Sequence, residues 1–172
     1  MLRDNKVMLR AVEPEDLELM YLLENDARLW DCANTSVPYS SHLLKEYIKQ
    51  CSCNFYEDKA VRMAIALPSG MSVGFIDLQN YEPKHQRAEV GIVLMPDFQH
   101  QGLAKHALTL MAEYARDMLH LHQLYAHVHT GNHPALRLFL AAGFIRTATL
   151  PQWTCCTDGW QDVAVFQMIL TK

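Results

Sequence analysis

The spacing of apolar residues changes period several times along this chain, and each change marks an element. Residues 7–12 form a short apolar-rich run that predicts a strand. Pro14 then stands where an opening helical turn tolerates proline, and Leu17, Met20, Tyr21 and Leu23 recur at helical spacing. After a break at Pro38, Ser40 and Ser41 offer N-caps to a second helix through Leu44, Tyr47 and Ile48. Three β-rich segments follow, 61–67, 72–81 and 87–95, joined by Pro68-Ser69-Gly70 and by the polar stretch 82–86, which predicts an antiparallel meander. Helical spacing returns over 103–119 (Ala107, Leu110, Met111, Tyr114, Ala115, Met118), followed by a strand at 124–129. Asn132 caps a short helix ending at Gly143, and strands at 144–150 and 162–170 flank a turn-rich loop containing Asp158-Gly159. The expected fold is mixed α/β: a central mixed sheet of about seven strands, flanked by about four helices, with residues 1–172 read as a single domain.

Half of the 172 residues are hydrophobic, enough to bury one substantial core without metals or disulfides. No stretch approaches the roughly 20 apolar residues of a membrane span, and the opening MLRDNKVMLR lacks the apolar run of a signal peptide, so a cytoplasmic protein without membrane contact is expected. The cysteines Cys32, Cys51, Cys53, Cys155 and Cys156 are odd in number and form no CxxC pair, which reads as reduced thiols and not as a disulfide framework or structural zinc site. A formal net charge of −4 does not suit a nucleic-acid binder, which must neutralise phosphates.

The most informative segment is 95–104, Met95-Pro96-Asp97-Phe98-Gln99-His100-Gln101-Gly102-Leu103-Ala104, which runs from a strand end into the long helix. The opening N–H groups of a helix have no intrahelical partner and attract anions. Gly102 admits backbone conformations closed to other residues and lets the chain approach a ligand, while Ala104 keeps the next turn small. Lys105 and His106 sit in the first helical turn, where a cation is disfavoured unless an anion is bound. The loop has neither the G-x-G-x-x-G of dinucleotide folds nor the G-K-[ST] of the P-loop. A lone glycine before a helix is also a common structural feature.

Gln99-x-x-Gly102-x-Ala104 resembles the Q/R-x-x-G-x-G/A signature of the GNAT superfamily of N-acetyltransferases. In that family the signature follows the fourth strand and opens a long helix, and a strand and a helix of pattern N-x-x-A-x-x-L-[YF]-x-x-x-G-F come next. Asn132, Ala135, Leu138, Phe139, Gly143 and Phe144 stand in that register. The resemblance extends from about residue 61 to the C-terminus. Asp158-Gly159-Trp160-x-Asp162 is similar to the branch of ribosomal-protein N-terminal acetyltransferases and spermidine N-acetyltransferases, and Arg87-Ala88-Glu89 to the spermidine enzymes.

The resemblance implies that acetyl-CoA lies as cosubstrate in a wedge between strands 87–95 and 124–129. Ile92, Val93 and Leu94 would present backbone groups to the pantetheine, Gln99, His100, Gln101, Gly102, Leu103 and Ala104 would wrap the pyrophosphate, and Asn132 would contact the pantetheine arm. Gly91 is a candidate bulge or close approach that splays the strand. The acceptor would be a small amine, a polyamine such as spermidine, or a peptide N-terminus. Homo-oligomer formation stays open.

An alkylamine has a reference pKa near 10.4, so acyl transfer to it needs a proton acceptor or a water path to one. Glu89 is the candidate base, since alternation puts it on one face with Gly91 and Val93; a structural ion pair, for example with Arg87, is the competing reading. A backbone N–H of the fourth strand would stabilise the tetrahedral oxyanion. Phe139 occupies the position at which the superfamily often carries a tyrosine general acid, and its ring has no proton to give. That departure leaves room for a second class, a catalytically weak acyl-CoA-binding sensor. Cys155 and Cys156 show no His and Asp partner in register for a covalent route.

His127 and His129 share a strand face without an acidic ligand nearby in sequence, so no metal site is expected from them or from His120 and His122. Either could line an acceptor channel. The N-terminal arm carries Glu13, Glu15, Asp16, Glu18, Glu24, Asp26 and Asp31, which reads either as a solvated helix face or as a surface that draws in a polyamine or a basic peptide terminus. Trp30, Tyr39, Phe55, Trp153 and Trp160 are candidates for a cleft wall or for ordinary packing.

Overall fold

The computed structural model describes residues 2–33, 35, 37–50 and 54–171, without the side chains of 32 and 33. Cys51 and Cys53, and the side chain of Cys32, lie outside the described residues. In chain order the elements are β1 (Met8–Ala11), α1 (Leu17–Glu24), α2 (Ala27–Ala33), α3 (Ser41–Gln50), α4 (Phe55–Asp58), β2 (Val61–Ala66), β3 (Ser72–Glu82), β4 (Arg87–Leu94), α5 (Leu103–Asp117), β5 (Gln123–His129), α6 (His133–Ala141), β6 (Ile145–Cys156) and β7 (Gly159–Ile169).

The seven strands form one sheet in the order β1-β2-β3-β4-β5-β7-β6. The β4–β5 pairing is parallel and the others are antiparallel. A parallel neighbour needs a crossover, and α5 supplies it. Alternation along β3 feeds two cores: Ile76 and Leu78 pack with Leu108 and Met111 of α5 on one face, while Phe75 packs with Met20 of α1 and Leu44 and Ile48 of α3 on the other. Burial on both faces makes the middle of the sheet the rigid base of the molecule.

The caps follow the sequence chemistry. Ser40 Oγ accepts from the Leu43 N–H at 3.1 Å, Asn132 Oδ1 accepts from the Ala135 N–H at 3.2 Å, and Gly143, at φ +94°, ends α6.

Three expectations change. The turn-rich loop placed between 150 and 162 is a β-ribbon, with β6 and β7 paired out to Cys156↔Gly159. Its register shifts between Arg146 and Ala148 and between Leu150 and Thr154, and β6 is exposed along most of its length, so no apolar alternation announces it. Among the described residues there are six α-helices, the additions being α2 and the single turn α4, capped by Asn54. Gly91 is not a bulge: β4 stays in register with β3 through Asp77↔Gly91, and the nearby irregularity lies between Gln79 and Glu82.

Candidate active site

The site arises where two strands stop pairing. β4 and β5 run in parallel register from Arg87↔Gln123 to Glu89↔Tyr125, where the pairing ends. Beyond that point β4 remains held by β3 as far as Leu94↔Gly74, and β5 by β7 as far as His129↔Val163. Each strand follows a different partner, so a fork opens and a cleft of about 650 Å³ fills it. Gly91, Ile92, Val93 and Leu94 form one wall, and His127, Val128 and His129 the other. Gly91 contributes an open edge, since a Cβ built there would meet no atom within 4 Å.

One end of the cleft is closed by the strand-to-helix loop. Gln99, His100, Gly102, Leu103 and Ala104 all line it, whereas Gln101 does not. Gln101 Nε2 instead donates to the Asp97 carbonyl at 2.8 Å, and Gln99 Nε2 to the Leu94 carbonyl at 3.0 Å, so both side chains brace the loop. The Leu94 carbonyl, expected to face a ligand, is thereby engaged. His100 (φ +60°) and Gly102 (φ +82°) are both left-handed, which turns the chain sharply into α5, whose opening residues Leu103 and Ala104 line the cleft. Lys105 and His106 part company: Lys105 lines the cleft, while His106 Nδ1 lies 2.6 Å from Asp4 Oδ2.

The far wall belongs to α6. Asn132, Leu138 and Phe139 line the cleft, Asn132 with its Oδ1 committed to capping the helix. Phe139 is buried, edge-on to Phe144 (5.1 Å between centroids) and stacked on Phe166 (5.6 Å). Arg137 also lines the cleft and is exposed, a residue the sequence reading missed because only the apolar and capping positions of α6 belong to a recognisable pattern. With Lys105 it brings positive charge to a cavity that already holds a helix N-terminus, a donor set that fits the phosphates of an acyl-CoA.

Glu89 stands at the tip of the fork and does not line the cleft. Its Oε1 lies 2.7 Å from His127 Nδ1, and its Oε2 accepts from Asn80 Nδ2 at 2.8 Å. The proposed ion pair with Arg87 is replaced by Arg87 with Glu82, at 2.8 Å. A smaller hollow of about 330 Å³ adjoins the fork and is lined by Arg87, Tyr125, His127, Thr147 and Gln167 among others. Burial first, and then the negative charges of Glu89 and Glu82 against the opposing Arg87, hold the Tyr125 hydroxyl above its ordinary pKa.

Other candidates separate in space. Cys156 does have a histidine neighbour, since the β6–β7 ribbon folds back along β5 and sets its Sγ 3.8 Å from His129 Nδ1, while Cys155 is exposed. Among the described residues no group of three or more His, Cys, Asp or Glu side chains is arranged for a metal ion. Phe55 is core, whereas Trp153 and Trp160 are exposed. The acidic arm is partly spent: Asp16 pairs with Arg10, Glu24 with Arg62, and Asp26 with Arg28.

The sequence profile of the acetyltransferase (GNAT) domain matches residues 6–145. Spermidine N(1)-acetyltransferase of Escherichia coli (strain K12) is 29% identical over 143 residues, which span 81% of this chain and 73% of that protein. The Vibrio cholerae spermidine N(1)-acetyltransferase is 24% identical over 169 residues, 98% of this chain and 96% of that one. A crystal structure of spermidine N-acetyltransferase from Vibrio cholerae, in complex with CoA and spermine, superposes with a TM-score of 0.87 at 23% identity, covering 97% of both chains. The forked strands, the left-handed loop opening α5 and the profile match over most of the chain lead to one conclusion: the chain belongs to the GNAT acetyltransferase family and is an acyl-CoA-dependent N-acetyltransferase.

Proposed function

We propose that this enzyme moves the acetyl group of acetyl-CoA to a primary amine of a polyamine such as spermidine, by direct attack of the amine on the thioester. Residues 1–172 act as a single domain in the cytoplasm. The cosubstrate lies in the fork, with Ile92, Val93 and Leu94 along its pantetheine. The loop from Gln99 to Ala104 wraps its pyrophosphate, helped by Lys105 and Arg137, and Asn132 and Phe139 stand on the far wall.

The observation that carries this reading is the meeting of two concavities at one side chain: His127 lines both the cleft and the smaller hollow beside it. An acyl donor in the first and an amine in the second would meet there. The Glu89 carboxylate, 2.7 Å from the His127 imidazole that lines the hollow, favours a cationic acceptor beside it. The relatives named for spermidine acetylation support the same class. Self-association belongs to the proposal as well, since Trp153 and Trp160 expose apolar surface on the β6–β7 ribbon, and the Vibrio cholerae spermidine N-acetyltransferase is described as dodecameric.

The test is thiol release from acetyl-CoA in the presence of polyamines, free amino acids and peptides with free N-termini. Polyamines are expected to give the highest kcat/KM. Faster release with peptides would move the acceptor class to protein termini, and cosubstrate binding without any release would reduce the protein to a binding module.

A further inference from the structure

We propose that His127, held by Glu89, is the group that takes the proton from the acceptor amine; the proposal rests on the amine-acetylation reading above. Glu89 itself is badly placed for that task. Both of its carboxylate oxygens are engaged, Oε1 with His127 Nδ1 at 2.7 Å and Oε2 with Asn80 Nδ2 at 2.8 Å, and it lines neither concavity. His127 lines both.

The placement follows from the sheet. Glu89 is the last residue of β4 paired with β5, opposite Tyr125. His127 is two residues further along β5, so it shares the face of Tyr125 and is the first side chain on that face beyond the fork. The Tyr125 ring meets it edge-on at 5.7 Å between centroids, fixing one side of the imidazole. An ionised carboxylate only accepts hydrogen bonds, so the proton of the neutral ring belongs on Nδ1, facing Glu89, and Nε2 is left with its lone pair. A carboxylate behind a histidine sets its tautomer and stabilises the imidazolium that forms.

The step balances as follows. His127 Nε2 takes one proton from the acceptor ammonium. The freed nitrogen lone pair forms a C–N bond to the thioester carbonyl carbon, and the C–S bond breaks with its electron pair on sulfur. The nitrogen's second proton passes to that sulfur, giving the thiol, and His127 returns its proton to solvent. The net products are amide, thiol and one proton. Glu89 is then a positioning residue. Among the described residues, the charged and titratable groups around His127 are Glu89 and Arg87 from β4, Tyr125 and His129 from its own strand, and, across the shared cleft, His100 of the loop, Lys105 of α5 and Arg137 of α6; β6 and β7 bring the uncharged Thr147, Val165 and Gln167.

The experiment compares His127→Ala, His127→Gln, Glu89→Gln and the His127→Ala/Glu89→Gln double variant in steady-state kinetics with the best acceptor, alongside acetyl-CoA binding by calorimetry. Both His127 variants are expected to lower kcat by roughly 10²–10⁴-fold, the range of general-base removal, with acetyl-CoA Kd within about threefold of wild type. The loss should shrink as pH rises and the amine is already neutral. Glu89→Gln should cost about 10–100-fold, as loss of a supporting partner does, and the double variant should be no worse than His127→Ala. Wild-type kcat in either His127 variant, or a loss confined to acetyl-CoA Kd or to Tm, overturns the assignment. A Glu89→Gln loss larger than that of His127→Ala does the same, making Glu89 the acceptor. A wild type inert toward every amine ends the acetylation reading and this inference with it, whereas an active wild type with an unimpaired His127→Ala ends the inference alone.

Discussion

The side-chain amide of Gln99 donates to the backbone carbonyl of Leu94 over 3.0 Å, closing the strand-to-helix loop onto the end of β4. This contact holds the loop in shape before any ligand arrives, which reduces the ordering cost of binding. Gln99→Ala removes it together with a hydrogen bond worth about 0.5–1.5 kcal/mol. The expected result is a rise in KM for acetyl-CoA of roughly 3–10-fold with kcat nearly unchanged, read from initial rates at saturating amine.

Gly74 sets how closely β3 approaches the end of β4. A Cβ built on it would lie 2.1 Å from the Val93 carbonyl oxygen and 2.9 Å from Leu94 Cα, both backbone atoms that cannot swing aside. Gly74→Ala must therefore push β4 outward at the cleft wall. Overpacking of this kind costs about 1–3 kcal/mol or more. Thermal unfolding should show a Tm lower by several degrees, at roughly 2–4 °C per kcal/mol for a chain of this size, and acetyl-CoA binding should weaken with it.

Asp16 is buried and receives Arg10 in a two-pronged contact, Nη1 to Oδ2 at 2.7 Å and Nη2 to Oδ1 at 2.8 Å, with Ser72 Oγ at 2.7 Å and the Glu13 N–H at 2.8 Å. Burial alone would raise its carboxyl pKa, but the hydrogen bonds from Arg10, Glu13 and Ser72 together outweigh it and hold the group below the ordinary value. A depressed folded pKa contributes stability that is present above the unfolded value, near 3.9, and lost as pH falls through the folded one. Asp16→Asn should therefore lower Tm at pH 7, and the gap from wild type should narrow as the pH is taken below about 4. An equal gap at pH 7 and pH 3 in scanning calorimetry would remove the ionic contribution.

Phe139 lines the cleft with its ring wedged between Phe144 and Phe166. Phe139→Tyr adds a proton donor where the family pattern often has one, at the cost of about 1–3 kcal/mol if the new hydroxyl finds no partner. A rise in kcat of about tenfold is expected, below the full range of acid catalysis because the thiol already leaves readily as thiolate. Unchanged kcat with unchanged Tm would show that departure of the thiol does not limit turnover.

The local chemistry of this chain was legible without coordinates. Proline at 14, serine at 40, asparagine at 132 and glycine at 143 act within a turn or two of themselves, so their effects on helix ends are written in the sequence. The same holds for β3 and α5, whose apolar periods reflect burial. The loop 99–104 was legible as well, since a strand end, a glycine and a helix start lie in one short segment.

Contacts between distant segments were decided by the tertiary structure. The β6–β7 ribbon is mostly exposed on β6 and gains its regularity from cross-strand pairing, which leaves no apolar period to read. The fork exists because β4 and β5 each keep a different outer partner, a property of the sheet order and not of Gly91. Glu89 could be singled out in the chain as an acid next to the expected thioester, but 38 residues separate it from His127. Only the parallel register that sets Glu89 opposite Tyr125 brings that imidazole between the carboxylate and the cleft. A sequence records which groups are present; whether Glu89 or His127 lines the cleft depends on where two strands part.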